Sequence, residues 1–212
     1  MSVPKEEGPW LRPGETLVCF GDSLTAAEDG YVKLLQQALQ PQGIRVINAG
    51  LGGDKTPAAL TRLNSDVIDR KPSAVSIFFG HNDAVIGRGV WRDEPTVSPL
   101  TFEENLRWII HLCRLQGGIA KFSINTTMPR MEGQRFLEYG DVRNAYCQAA
   151  RHAADAMNAR LVPLDAVFAD LREQNFGRLS PEGLLYTRDG LHMNEEGNRI
   201  IADTMLRTWG MI

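Results

Sequence analysis

The strongest constraint on the fold is the alternation of short apolar runs with segments of helical period. The runs Leu17 to Phe20, Arg45 to Asn48, Ala74 to Phe79, Ile119 to Asn125 and Arg160 to Leu164 have strand length and are rich in Val, Ile, Leu and Phe. Between them lie helical patterns at Tyr31 to Gln40, Pro57 to Arg70, Phe102 to Gln116 and Tyr139 to Asn158, with a last one from Glu195 to Trp209. Strands separated by helix-length crossovers run parallel and need a helix layer on each face. The expected architecture is therefore a three-layer α/β/α sandwich around a central parallel sheet of about five strands, with flavodoxin-like winding. Pro57 suits a first helical turn after Thr56, and Thr101 is the expected N-cap of its helix, with Glu104 three residues on. A chain of 212 residues buries a proper core, and no repeat, low-complexity tract or linker interrupts it, so residues 1–212 read as one domain.

Charge and composition narrow the partners. The formal net charge is −3, and the Lys and Arg residues are scattered rather than gathered into a basic stripe, which argues against a nucleic-acid partner. No apolar stretch reaches membrane-spanning length, and the segment from Met1 to Glu7 lacks the apolar region of a signal peptide. A cytoplasmic protein without membrane insertion is expected. Cys19, Cys113 and Cys147 are odd in number, far apart and embedded in apolar patterns, as reduced core residues would be.

In a parallel sheet the segments that follow the strands converge on one edge, where ligands bind. Those segments carry the unusual residues of this chain: Gly21-Asp22-Ser23-Leu24 after the first strand, Asn48-Ala49-Gly50-Leu51-Gly52-Gly53-Asp54 after the second, and Gly80-His81-Asn82-Asp83 after the third. Far downstream, Asp189-Gly190-Leu191-His192 places an Asp and a His three apart, within reach of each other in a single loop. Taken alone, Ser23 reads equally well as a turn or N-cap residue. Taken together, the segments supply a nucleophile, a base with its orienting carboxylate, and hydrogen-bond donors for a developing oxyanion. The donors are the Ser23 N–H, a glycine N–H of the second loop and the Asn82 amide.

These four blocks, in this order and spacing from Phe20 to Asn194, resemble the SGNH hydrolase family, also called GDSL esterases and lipases. The resemblance implies that Ser23 attacks, that His192 takes its proton, that Asp189 orients His192, and that Ser23, Gly53 and Asn82 hold the oxyanion. Gly53 is chosen over Gly50 and Gly52 because it directly precedes Asp54. No metal and no cofactor is implied. The substrate would be a small-molecule acyl ester, a short acyl chain being favoured and an O-acetyl group on a carbohydrate being one candidate. A thioesterase or lysophospholipase would use the same groups.

Other chemistries fit less well. The second loop lacks the Gly-Lys pair of a P-loop, because Asp54 precedes Lys55, and Lys55 stands where a dinucleotide fingerprint needs its third glycine. Gly80-His81-Asn82-Asp83 inverts the Asn-His order of a metallophosphoesterase block, and the chain has only 4 histidines. A non-enzymatic flavodoxin-like binding module would leave the Ser, Asn and Asp/His blocks without a use. His111 and His152 read as surface helix residues, whereas His81 either lines the pocket or braces its loop. Asp22, Asp54 and Asp83 are expected to bond backbone N–H groups in their own turns. The loops Ala84 to Leu100, Thr126 to Glu138 and Phe176 to Arg188 should shape the pocket. In them Arg88, Trp91, Arg92, Met131, Phe136 and Tyr186 suit a sugar ring, an anionic group or an acyl chain, and equally suit loop packing.

Overall fold

The computed structural model of the protein describes residues 8–84, 93, 95–127 and 131–212. Five strands, β1 (Thr16–Gly21), β2 (Arg45–Gly50), β3 (Ala74–Phe78), β4 (Lys121–Asn125) and β5 (Arg160–Val162), form one parallel sheet in the order β2-β1-β3-β4-β5. This is the flavodoxin-like order expected from the alternation, and its winding reverses between β1 and β3, where a ligand crevice opens at the carboxyl ends of the strands.

Side-chain alternation along the strands divides the core in two. Leu17, Cys19 and Phe78 face a layer that contains α2 (Tyr31–Leu39) and α9 (Glu195–Thr208). Val18, Phe20, Val75 and Ile77 face the opposite layer, which contains α3 (Thr56–Thr61), α5 (Pro99–Gly117) and α7 (Asn144–Ala156). Both strand faces are apolar because both are covered by helices. All three cysteines are buried free thiols, and burial pushes each up to about 12, so they behave as small apolar core residues.

Four local expectations are corrected. Ser98, not Thr101, caps α5: its Oγ accepts the Thr101 N–H at 3.1 Å, and Pro99 occupies the first turn. The segment Pro57 to Arg70 is broken into α3, the short α4 (Leu63–Asp66) and a 3-10 turn, Ile68–Arg70. The pattern from Tyr139 to Asn158 contains the end of α6 (Gly133–Tyr139) and all of α7, separated at Gly140. Finally, β5 stops at Val162 before Pro163, and an unforeseen helix follows, α8 (Leu164–Gln174). Its Leu164, Val167, Phe168 and Leu171 have helical spacing, and Leu164 and Phe168 are buried.

Candidate active site

The Ser23 turn follows directly from β1. Asp22 is fully buried and caps the short α1 (Ser23–Ala26), its Oδ1 accepting the Leu24 N–H at 3.0 Å. Ser23 thereby becomes the first residue of the helix, with its own N–H ahead of the intrahelical bonds and its hydroxyl at the sheet edge. Ser23 Oγ lies 3.3 Å from His192 Nε2, although the two residues are 169 positions apart.

His192 comes from a small hairpin closed by an antiparallel bridge between Thr187 and Met193, with the Arg188 N–H donating to His192 O at 2.9 Å. Within it, Asp189 Oδ1 accepts the N–H groups of Leu191 and His192 at 3.0 and 2.7 Å, and Oδ2 lies 2.8 Å from His192 Nδ1. Burial raises the Asp189 carboxyl, but the His192 ring and these N–H groups outweigh it and hold the group below the usual carboxylate range. An ionised Asp189 fixes the tautomer with a proton on Nδ1, which leaves Nε2 free to accept the Ser23 hydroxyl proton. Gly190 permits the tight return: its φ is +87°, and a Cβ there would lie 2.4 Å from the Glu132 carbonyl oxygen.

The second and third loops close around the other side of Ser23. The Leu51 N–H donates to Gly21 O at 3.0 Å, and Asn82 Nδ2 donates to Asp54 O at 3.0 Å, so the three turns are tied to one another. One Asn82 amide hydrogen is used in that tie and the other is not. Gly53 has φ +74° with open space where a Cβ would stand, so backbone conformation rather than crowding calls for glycine there. Arg62, which sequence reasoning passed over as an ordinary helix residue, clamps this region. Its guanidinium donates to Asp54 Oδ2 at 2.7 Å, Ala49 O at 2.9 Å and Gly21 O at 3.0 Å, and it sits 4.5 Å from the Phe20 ring centroid.

His81 braces its loop. It is 3 % exposed, packs edge-on to Phe78, and its Nδ1 lies 3.2 Å from Asp22 Oδ2. Burial lowers its basicity against the pull of Asp22, which suits a neutral ring that donates from Nδ1. Asp54 caps its own turn at the Lys55 N–H, as expected, but Asp83 reaches further: its Oδ1 accepts the N–H and the hydroxyl of Thr56 at 3.0 and 2.5 Å.

Burial pushes the Asp83 carboxyl up to about 6, against the Thr56 bonds that favour the ionised form. A folded-state value above the unfolded one means that the stabilisation is full at acidic pH and is lost as pH rises through about 6. Asp83→Asn retains an acceptor for Thr56 and removes the titration. Its stability relative to wild type, measured by urea unfolding, is expected to rise by about 2 kcal/mol between about pH 4.5 and pH 7. A pH-independent difference would contradict this.

A cleft of about 730 Å³ opens beside Ser23 and His192, lined also by Glu28, Asp29, Arg188, Asn194, Glu195 and Asn198, with Leu24, Ala27 and Met193 as its apolar part. Met131 and Tyr186 are not on it: they are 2 % and 1 % exposed, and the Tyr186 hydroxyl donates to Leu171 O. Phe136 is half-buried in α6, while Arg88, Trp91 and Arg92 lie outside the described residues. His111 meets Trp108 edge-on, and exposed His152 lies 3.4 Å from Glu103. Among the described residues no three His, Cys, Asp or Glu side chains gather as metal ligands, and no helix is long and apolar enough to cross a membrane.

Known proteins resemble this chain over most of its length. Among curated proteins, the acetylxylan esterase of Geobacillus stearothermophilus is 29% identical over 94% of this chain and 96% of its own length. The uncharacterized lipoprotein YqeF of Bacillus subtilis (strain 168) is 29% identical over 91% of this chain and 88% of its own. Among solved structures, the acetyl xylan esterase AlAXEase superposes with a TM-score of 0.76 at 29% identity, covering 91% of this chain and 98% of that one. The family model of the GDSL-like lipase/acylhydrolases matches residues 19–200. The chain is a carboxylic ester hydrolase of the GDSL-like lipase/acylhydrolase (SGNH) family.

Proposed function

We propose that the protein hydrolyses short acyl esters, foremost acetyl esters of carbohydrates, through an acyl-enzyme on Ser23. The observation that carries this reading is the continuous chain Ser23 Oγ, His192 Nε2, His192 Nδ1, Asp189 Oδ2 opening onto a cleft edged by Glu28, Asp29, Arg188 and Glu195. The Ser23 hydroxyl proton passes to His192 Nε2 as Oγ bonds to the acyl carbon, and the carbonyl oxygen becomes an oxyanion. The Ser23 N–H, the Gly53 N–H and the second Asn82 amide hydrogen receive that charge. The protonated ring returns the proton to the leaving alcohol as the ester C–O bond breaks. Water, deprotonated by the same ring, then displaces Ser23 and releases the acid.

The cleft shares Ser23 and His192 but neither Gly53 nor Asn82, which supports reading it as the side where the alcohol leaves. Its charged rim of Glu28, Asp29, Arg188 and Glu195 suits the hydroxyls of a sugar. The acetylxylan esterases among its relatives support the same substrate class.

The test is a panel of p-nitrophenyl acetate, butyrate, octanoate and palmitate together with acetylated xylo-oligosaccharides and acetyl-CoA. We expect kcat/KM to fall by about tenfold or more from acetate to octanoate, with release of acetate from the acetylated sugars faster than from acetyl-CoA. A preference for palmitate or for acetyl-CoA would contradict the reading.

A further inference from the structure

We propose that Glu132 is the positioning residue for the hairpin that carries Asp189 and His192; this rests on their reading as the acid–base pair for Ser23. Asp189 and His192 are 43% and 32% exposed at the side chain, so core packing alone does not place them. Glu132, by contrast, is 1 % exposed. It comes from the segment after β4, distant in sequence from every block that carries the chemistry.

Its Oε2 accepts the successive N–H groups of Leu185, Tyr186 and Thr187 at 3.0, 3.0 and 2.9 Å and the Thr187 hydroxyl at 2.6 Å. Oε1 accepts from Arg172 Nη1 at 2.7 Å. The Glu132 N–H donates to Gly190 O at 3.0 Å, and Thr187 Oγ1 accepts the Gly190 N–H at 3.1 Å. Glu132 therefore grips the hairpin twice, at its base through Thr187 and at its tip through Gly190, the residue after Asp189. Only an acceptor-only group serves every donor at once. A glutamine could turn its oxygen to the three N–H groups, but its NH₂ would then face the Arg172 guanidinium, donor against donor.

A hairpin released from this grip lets His192 drift from Ser23, and a shift of about 1 Å in a reacting group costs on the order of 10²-fold in rate. Glu132→Ala is expected to lower kcat on p-nitrophenyl acetate by about 100-fold and Glu132→Gln by about tenfold, with KM within about twofold of wild type. Adding Arg172→Met to Glu132→Gln should restore most of the lost kcat, a rescue that a general loss of stability does not produce. Should Glu132→Ala not fold, Glu132→Gln and Thr187→Val decide the matter, the latter with an expected loss of about fivefold. Activity is expressed per folded molecule, with Tm and circular dichroism for each variant. If Ser23→Ala keeps wild-type activity, the underlying acyl-transfer reading fails. If Ser23→Ala is inactive while folded Glu132→Gln and Thr187→Val keep wild-type kcat, or change only KM, the positioning role alone is overturned.

Discussion

Replacing Ser23 by Ala, or His192 by Ala, is expected to lower turnover of p-nitrophenyl acetate by roughly 10⁴- to 10⁶-fold. The hydroxyl has no substitute in the cleft, and an isolated serine hydroxyl is a poor nucleophile until its proton has an acceptor 3.3 Å away. Because the two groups perform one proton transfer, the double variant should be no slower than either single one within about threefold. Neither change should disturb the fold, since both side chains are partly exposed and Asp22, not Ser23, caps the helix. Steady-state kinetics with Tm as a control checks this. Additive losses in the double variant would mean that Ser23 and His192 act in separate steps.

Asn82→Ala should lower kcat by about 10²- to 10³-fold while leaving KM within about threefold of wild type. In the proposed mechanism the amide donates to an oxygen that becomes fully charged only in the tetrahedral intermediate, so its loss should weaken transition-state binding more than substrate binding. Asn82 also donates to Asp54 O, which ties the third loop to the loop holding Gly53. Arg62 holds Asp54 and Gly21 independently, and that clamp should keep the second loop in place when Asn82 is shortened. The measurement is a full saturation curve for each protein. An unchanged kcat with a raised KM would assign Asn82 to substrate binding instead.

The sheet was legible because each strand is a short apolar run bounded by polar turns, and the order of chemistry-bearing turns followed from parallel pairing. Ser23, His192 and Asp189 meet as the blocks imply. What escaped detection depends on partners remote in sequence. Glu132 and Arg62 are charged residues in polar stretches, and nothing local marks their remote partners; the one is held by residues 185 to 190, the other by the ends of β1 and β2. Asp83 serves its own turn, as expected, and Thr56 as well, because β2 and β3 flank β1 and bring the second and third loops together. Helix boundaries were misplaced where a proline or glycine had two roles: Pro99 starts α5 behind Ser98, and Gly140 divides what reads as one helix.

The proposed mechanism requires Ser23 to form the covalent intermediate. Incubation with a fluorophosphonate ester, followed by proteolysis and peptide mass spectrometry, tests it directly. A single adduct is expected on the peptide containing Ser23, formed together with loss of esterase activity and absent from the Ser23→Ala protein. An adduct on another residue, or full inactivation of the Ser23→Ala protein's esterase activity by the same probe, would contradict it.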